Sequence, residues 1–307
     1  MRLLFPYTFF TFWIVISILH LFACQTENRH AQAFYRAEEE WRQQREQRLQ
    51  RADSWLTIAG LYWLEIGDNR LGTDLDNDII LPPGKAAAQV GNIHWQATGI
   101  TFFPTDQADV RVSGRTESHG NLRHDQQSKT DTLYSGPLAM WLIKRGDRIG
   151  LRLRDSTSAS RAQFKGLQFY PPDSNYIVFA DYMPFHKKDT VIVPTVVGTE
   201  EKYIIPGRLQ FDLDGTMYQL DPFAVKNDTS LLFIIFRDRT SEQGESYGAG
   251  RYMYARKRGG NEVQLNFNRA YNPPCAFTPY ATCPLPPPQN VLDVAIRAGE
   301  KYEKKEM

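Results

Sequence analysis

This chain predicts an all-β fold, built as sandwich- or barrel-like sheets with one N-terminal amphipathic helix. Three features predict it. Short apolar runs recur from Trp55 onward, each closed by Gly, Pro, Asn or Asp. Aromatics make up 13% of the residues, with 21 Gly and 18 Pro, a composition that suits sheets and tight turns and argues against disorder. Helical periodicity is confined to one segment, AQAFYRAEEEWRQQREQRLQ at 31–50.

In that segment Phe34, Trp41 and Leu49 fall near seven-residue intervals with Ala37 between them, so they share a face, and Glu38 and Arg42 stand i,i+4. From Trp55 the period changes. SWLTIAGLYWLEIGDNRLG (54–72) reads as strand, then a turn at Gly67-Asp68-Asn69. NDIILPPG, NIHWQATGITFFPT, DVRVSG and TDTLYSG each read as strand plus turn, and AMWLIKRGDRIGLRLRD (139–155) as a hairpin about Arg145-Gly146-Asp147. Pro171-Pro172-Asp173 marks the seam between a first β half (52–165) and a second (166–307). In the second half Asp214-Gly215 and Arg258-Gly259-Gly260 read as hairpin turns. LLFIIFRD (231–238) is nearly all apolar and reads as a central strand buried on both faces, and NVLDVAIRAGEK as a last short strand.

The start of the chain carries a different message. Arg2 precedes an apolar run to Phe22, and no acidic residue appears before Glu27. That is the layout of a secretory leader. Leu21-Phe22-Ala23-Cys24 resembles a bacterial lipobox, which implies cleavage after residue 23, lipidation of Cys24, and a tether and helix over 24–51. An uncleaved anchor helix is the alternative; both put the rest of the chain outside the cytoplasm. Gln25 in place of Asp favours outer-membrane sorting where an outer membrane exists. About 280 residues remain, enough for one large or two modest domains. A net charge of +1 with dispersed basic residues argues against nucleic acid as a partner.

With Cys24 committed to lipid, Cys275 and Cys283 are left as a pair. In an oxidising compartment such a pair reads as a disulfide, with free thiols as the alternative. A metal site is disfavoured, because seven residues separate them and no His follows nearby. No cofactor motif, Gly-x-Ser-x-Gly elbow or Walker loop is present. Residues 270–288, with Pro273, Pro274, Pro284 and Pro286–Pro288, read as a rigid strap across the sheet ends. Phe277 and Tyr280 are expected to plug into apolar surface, and Tyr271 and Asn272 to bond inward to a polar cluster.

FRDRTSEQGESYGAGRY (236–252), followed by LNFNRAYNPPCAFTPYATCPLPPPQNVL and AGEK, closely resembles the domain-of-unknown-function family 1684, and WLTIAGLYWLEIGDNRLGTD (55–74) fits it too. The order of the first-half strands loosely resembles a forkhead-associated sandwich, whose phosphate-binding Ser and Arg find no match here. The resemblance to family 1684 implies no established activity. It implies both lipoprotein and soluble relatives, so disulfide and free thiols both stay open. Asn266 stands where the family usually has Asp, and Glu242 where Gly usually follows Thr-Ser. Read from the residues, the candidate ligand or catalytic set is Asp238, Arg239, Thr240, Glu245, Tyr247, Arg251, Asn266, Asn268, Arg269, Tyr271 and Asn272. Period-2 spacing puts Asn266 and Asn268 on one strand face. Two functions fit: an extracytoplasmic lipoprotein whose β-scaffold binds a small polar ligand or partner through the 238–275 cluster, or a hydrolase-like enzyme with Asp238 or Glu245 as acid or base and Arg251 for an anionic group. A pocket holding both carboxylates with raised pKa values favours the enzyme; full burial with paired polar atoms favours the scaffold.

Overall fold

The computed structural model describes residues 29–303, except the side chain of Lys188; before that it gives only the backbone of α1 (Tyr7–Gln50). The expected leader (1–23) and Cys24 lie outside the described residues. Residues up to Arg45 form one compact unit and residues from Glu46 another. In the first, Gln43 donates to Glu39 one turn back, at 3.1 Å. In the second, the last turn of α1 is fixed by its own ends. Leu49 is buried, Glu46 accepts from the Leu167 amide at 2.7 Å, and the Gln50 carbonyl accepts from Arg161 at 2.6 Å.

Ten strands follow: β1 (Ile58–Trp63), β2 (Gly67–Gly72), β3 (Ile79–Ile80), β4 (Gly91–Gln96), β5 (Gly99–Pro104), β6 (Arg111–Val112), β7 (Gly120–Asn121), β8 (Thr132–Ser135), β9 (Leu138–Arg145) and β10 (Arg148–Asp155). They make two five-stranded sheets, ordered β1-β10-β9-β8-β6 and β3-β2-β4-β5-β7. Leu71, Ile93 and Phe102 of one meet Leu133, Met140, Leu142, Leu151 and Leu153 of the other in a shared core. The result is a sandwich, as alternation in the sequence requires. The turn expected at Gly67-Asp68-Asn69 is instead the start of β2; Asn69 turns its side chain back to bond the Glu65 amide and carbonyl, at 2.8 and 2.9 Å, and closes the connection before it.

The second half is one antiparallel sheet: β11 (Ile177–Pro194), β12 (Glu200–Leu213), β13 (Thr216–Leu220), β14 (Phe223–Val225), β15 (Asp228–Phe236), β16 (Arg251–Gly259) and β17 (Glu262–Asn266), ordered β13-β12-β11-β17-β16-β15-β14. Asp214 and Gly215 both take positive φ, 54° and 77°, and so make the tight β12–β13 hairpin. β15 is next to the edge rather than central, yet it is buried on both faces. Ile234 and Phe236 enter one core with Phe211, Leu265 and Phe267; Ile235 enters a second with Val193, Ile205 and Tyr252. The strand expected near 290–301 does not form. The segment crosses the sheet end as coil, with Leu292, Ile296 and Ala298 buried under it.

Ala270–Pro288 is indeed a strap. Tyr271 and Tyr252 exchange backbone hydrogen bonds at 2.8 and 2.9 Å; the Val196 amide donates to Cys283 O, and the Leu285 amide to Pro194 O, both at 2.9 Å. On the sandwich side Thr278 Oγ1 donates to Ile58 O at 3.2 Å. Its plugs differ from expectation, since Phe277 is half-buried and Tyr280 exposed.

Inside the sandwich, Asp131 is sealed from solvent and bonded by Arg123 (2.8 Å) and Arg115 (2.7 Å). Burial alone would raise its pKa; the hydrogen bonds and charges of these arginines outweigh that and hold it below the ordinary value. A depressed carboxylate contributes stability above its unfolded pKa and loses it as pH falls through the folded one. Wild-type stability is therefore expected to drop as pH falls from about 4 downward, with Asp131→Asn less stable at pH 7 and showing a shallower acid slope in urea melts.

Candidate functional site

Most of the expected polar cluster is a closed knot. Asp238 ends the apolar run of β15 and Arg251 opens β16, so the two strand ends bring them together, both fully buried. Arg251 Nη2 donates to Asp238 Oδ2 at 2.9 Å and to Ile296 O at 2.9 Å; Nη1 donates to Ala298 O. The Ile296 amide donates to Asp238 Oδ2 at 2.7 Å, and Thr240 Oγ1 to Oδ1 at 2.7 Å. Thr240, Ser241 and Ser246 share hydroxyl bonds of 2.8 and 3.0 Å, and the guanidinium lies 5.2 Å from the Phe236 ring centroid. No oxygen of Asp238 is left for a substrate. Both Asp238 oxygens are paired, and within the knot only Arg251 Nε lacks an acceptor among the described residues, the burial and pairing that mark a scaffold.

The other expected residues scatter. Glu245 pairs with Arg297 at 2.9 Å and accepts from Tyr170 at 3.0 Å; the Arg297 hydrogen bond holds its pKa below the ordinary value, the wrong direction for a general acid. Burial, then Glu245, pushes Tyr170 up to about 12. Arg239 is exposed and paired with Asp293. Asn266 and Asn268 do not share a strand face, because β17 stops at Asn266 and residues 267–269 form a 3-10 turn. Asn266 Oδ1 caps that turn at 3.1 Å, and Asn268 bonds the Asp173 backbone at 2.8 and 2.9 Å. Arg269 closes the turn. Asn272 joins Glu300 and Lys301, at 2.8 and 2.9 Å, and Tyr271 joins Tyr252; neither reaches Asp238 or Arg251. Tyr247 donates to Cys275 O at 3.0 Å.

A second constellation forms where the strap meets the sandwich. The disulfide candidates Cys275 and Cys283 come together here. They are not bonded to each other in this structure, and the Cys275 amide donates to Cys283 Sγ at 3.2 Å. The contact between the side chains lowers the Cys275 thiol and raises that of Cys283, which burial pushes further up. Around them lie Trp55, Tyr203, Phe233, Tyr252 and Tyr271. Apart from Trp55 these rings form a connected wall: Tyr203–Phe223 at 4.5 Å, Phe223–Phe233 at 6.4 Å, Phe233–Tyr252 and Phe233–Tyr254 at 5.0 Å, and Tyr254 stacked on Tyr271 at 6.4 Å. Tyr254 is 51% exposed, so the wall opens to solvent at that end.

Two arginines of the β9–β10 hairpin complete it. Arg145 is charge-satisfied, by Asp125 at 2.7 Å and Glu201 at 2.9 Å, and donates to Thr282 Oγ1 at 2.9 Å. Arg152 is 4% exposed and has no carboxylate partner among the described residues. Among the described residues its one hydrogen bond runs from Nη2 to Thr282 Oγ1, 3.2 Å; buried Nε has no acceptor, and the guanidinium lies 5.4 Å from the Trp55 ring centroid. Burial, then the charge of Arg145, pushes its pKa down to about 10, while Asp125 and Glu201 offset part of this from beyond ion-pair range. Arg152 is not among the residues expected at the site. The signal was there: in RIGLRLRD, Ile149, Leu151 and Leu153 point to the sandwich core, so Arg152 has to face whatever covers the other side. Among the described residues no group of three or more His, Cys, Asp or Glu is placed to hold a metal ion.

A family model described as "Protein of unknown function (DUF1684)" matches residues 162–301. That stretch is a DUF1684 domain. A solution NMR structure of an uncharacterized protein of Haloarcula marismortui is 36% identical to this chain, covering 46% of it and 79% of the archaeal chain, with a TM-score of 0.39. No curated protein matches. The Asp238–Arg251 knot, the aromatic wall and both thiols lie within the DUF1684 domain, whereas Trp55, Arg145 and Arg152 come from the sandwich before it.

The knot predicts its own mutational signature. Arg251→Met strands a buried carboxylate and is expected to cost about 3–5 kcal/mol in denaturant melts. The double variant Asp238→Leu/Arg251→Met, which removes both charges, is expected to recover part of that loss.

Proposed function

We propose that this protein is a lipid-anchored scaffold on the outer side of the cytoplasmic membrane or beyond it, and that it binds a small anion with an apolar body at the strap–sandwich seam. The carrying observation is Arg152. A buried guanidinium without a counter-charge costs several kcal/mol, and such a group persists where a bound anion supplies the missing partner. A carboxylate or phosphate presents the oxygens that a guanidinium fork matches. The neighbouring rings, half-buried and open at Tyr254, supply apolar surface for the rest of the ligand. The anchoring part of the reading is supported by the lipobox-like Leu21-Phe22-Ala23-Cys24 and the apolar run before it. An acid–base hydrolase at Asp238 and Glu245 finds no support, because one carboxylate is sealed and the other is ion-paired.

Calorimetry with benzoate and phenyl phosphate, and neutral benzamide as control, tests the ligand reading. Saturable binding of an anion by wild type is expected, weakened at least about tenfold in Arg152→Met. The same variant is expected to melt at or above the wild-type temperature, because removing an unpaired buried charge relieves strain rather than creating it. A variant that binds as wild type does, or failure of both anions to bind, overturns the reading. Separately, Cys24→Ser is expected to abolish labelling by a radioactive fatty acid and to release the protein from the membrane fraction; unchanged fractionation contradicts the anchor.

A further inference from the structure

The dithiol carried by the strap is not used by anion binding, and its geometry suits a reaction of its own. We infer that Cys275 and Cys283 form a redox-active pair that exchanges with low-molecular-weight disulfides, Cys275 as the entry thiol and Cys283 as the resolving one.

The two sit in contact without being bonded, and the Cys275 amide aims at Cys283 Sγ at 3.2 Å. Their access differs. Cys275 is half-buried, within the 3-10 turn Pro274–Ala276 that follows Pro273, whereas Cys283 is 4% exposed and packed with Val193, Ile205 and Tyr252. An incoming disulfide therefore meets Cys275 first. The contact with Cys283 also lowers the Cys275 thiol, which enriches the nucleophilic thiolate on the accessible sulfur. Cys283 is held by its backbone: its carbonyl accepts from the Val196 amide at 2.9 Å, and the Pro284 carbonyl accepts from Tyr252 at 3.1 Å. The resolving sulfur thus stays beside the entry sulfur throughout.

The chemistry balances with a small disulfide as oxidant. The Cys275 thiolate attacks one sulfur of oxidised glutathione, forms a protein–glutathione mixed disulfide and expels one glutathione thiolate. Cys283 then gives up its proton to that thiolate and attacks the Cys275 sulfur. The intramolecular disulfide forms as the second glutathione thiolate leaves and takes a proton from solvent. Two electrons pass from the protein to the oxidant, and two molecules of reduced glutathione are released. A disulfide reachable from solvent at one sulfur, that of half-buried Cys275, is placed in the labile class rather than in the fully sealed structural class.

The test is to incubate the reduced full-length protein with oxidised glutathione, quench with iodoacetamide and measure intact mass. Wild type is expected to lose both thiols and keep no glutathione, Cys283→Ser to stop with one glutathionyl group on Cys275, and Cys275→Ser to react at least about tenfold more slowly. Equal glutathionylation of the two variants, or stable mixed disulfide on wild type, overturns the assignment. Should a variant not fold, as judged by circular dichroism, limited alkylation of reduced wild type with peptide mapping decides the order. Cys275 is expected to label first; equal or reversed rates contradict it.

Discussion

The buried Asp238–Arg251 pair is the constraint on which the second half of the molecule depends. Three stretches of chain end at it: β15, β16, and the coil that closes the domain through Ile296 and Ala298. That coil meets Arg237 and Arg239 in only a few backbone bonds, and the ion pair supplies further partners at Ile296 and Ala298. Coulomb attraction alone would not repay the desolvation of both charges. Repayment comes from the extra donors and acceptors around the pair, Thr240, the Ile296 amide and two carbonyls, which leave Asp238 saturated. A carboxylate in that state holds the fold and performs no chemistry.

The contrast with Arg152 follows from the same physics. Arg251 and Arg152 are both buried, yet one is surrounded by acceptors and the other has a single threonine hydroxyl. The sandwich supplies Arg152 and Trp55, the large sheet supplies the rings, and the strap supplies Thr282 and the thiols. A site assembled from three parts persists only if the strap is fixed. Its backbone bonds to Tyr252, Pro194 and Val196, together with its prolines, fix it.

Much of the fold was legible because period-2 alternation and turn residues act locally. The sandwich strands, the Asp214-Gly215 hairpin and the strap all read from neighbours in sequence. The closing coil did not, since NVLDVAIR has a strand's pattern and its backbone groups are taken up by distant partners, the Arg237 and Arg239 amides and the Arg251 side chain, instead of by a neighbouring strand. Asn266 and Asn268 misled for a related reason: the strand stops at Asn266, whose side chain caps the next turn, so the period-2 rule no longer applied. Glu245 and Asp238 looked alike as carboxylates, but which one meets an arginine at the surface and which is sealed is decided by tertiary packing. Arg152 lay hidden in a strand whose apolar face was the obvious one. An arginine opposite an apolar face normally points to water, and only the strap's position shows that this one does not.

Anion binding at Arg152 is open to direct observation by NMR of the arginine side-chain Nε–H resonances. In the free protein Arg152 is expected to show an Nε–H cross-peak protected from exchange by burial. Titration with benzoate is expected to move that peak saturably, while the equally buried Arg251 peak stays fixed. A peak for Arg152 that does not respond to benzoate, or that exchanges as fast as those of exposed arginines, contradicts the account.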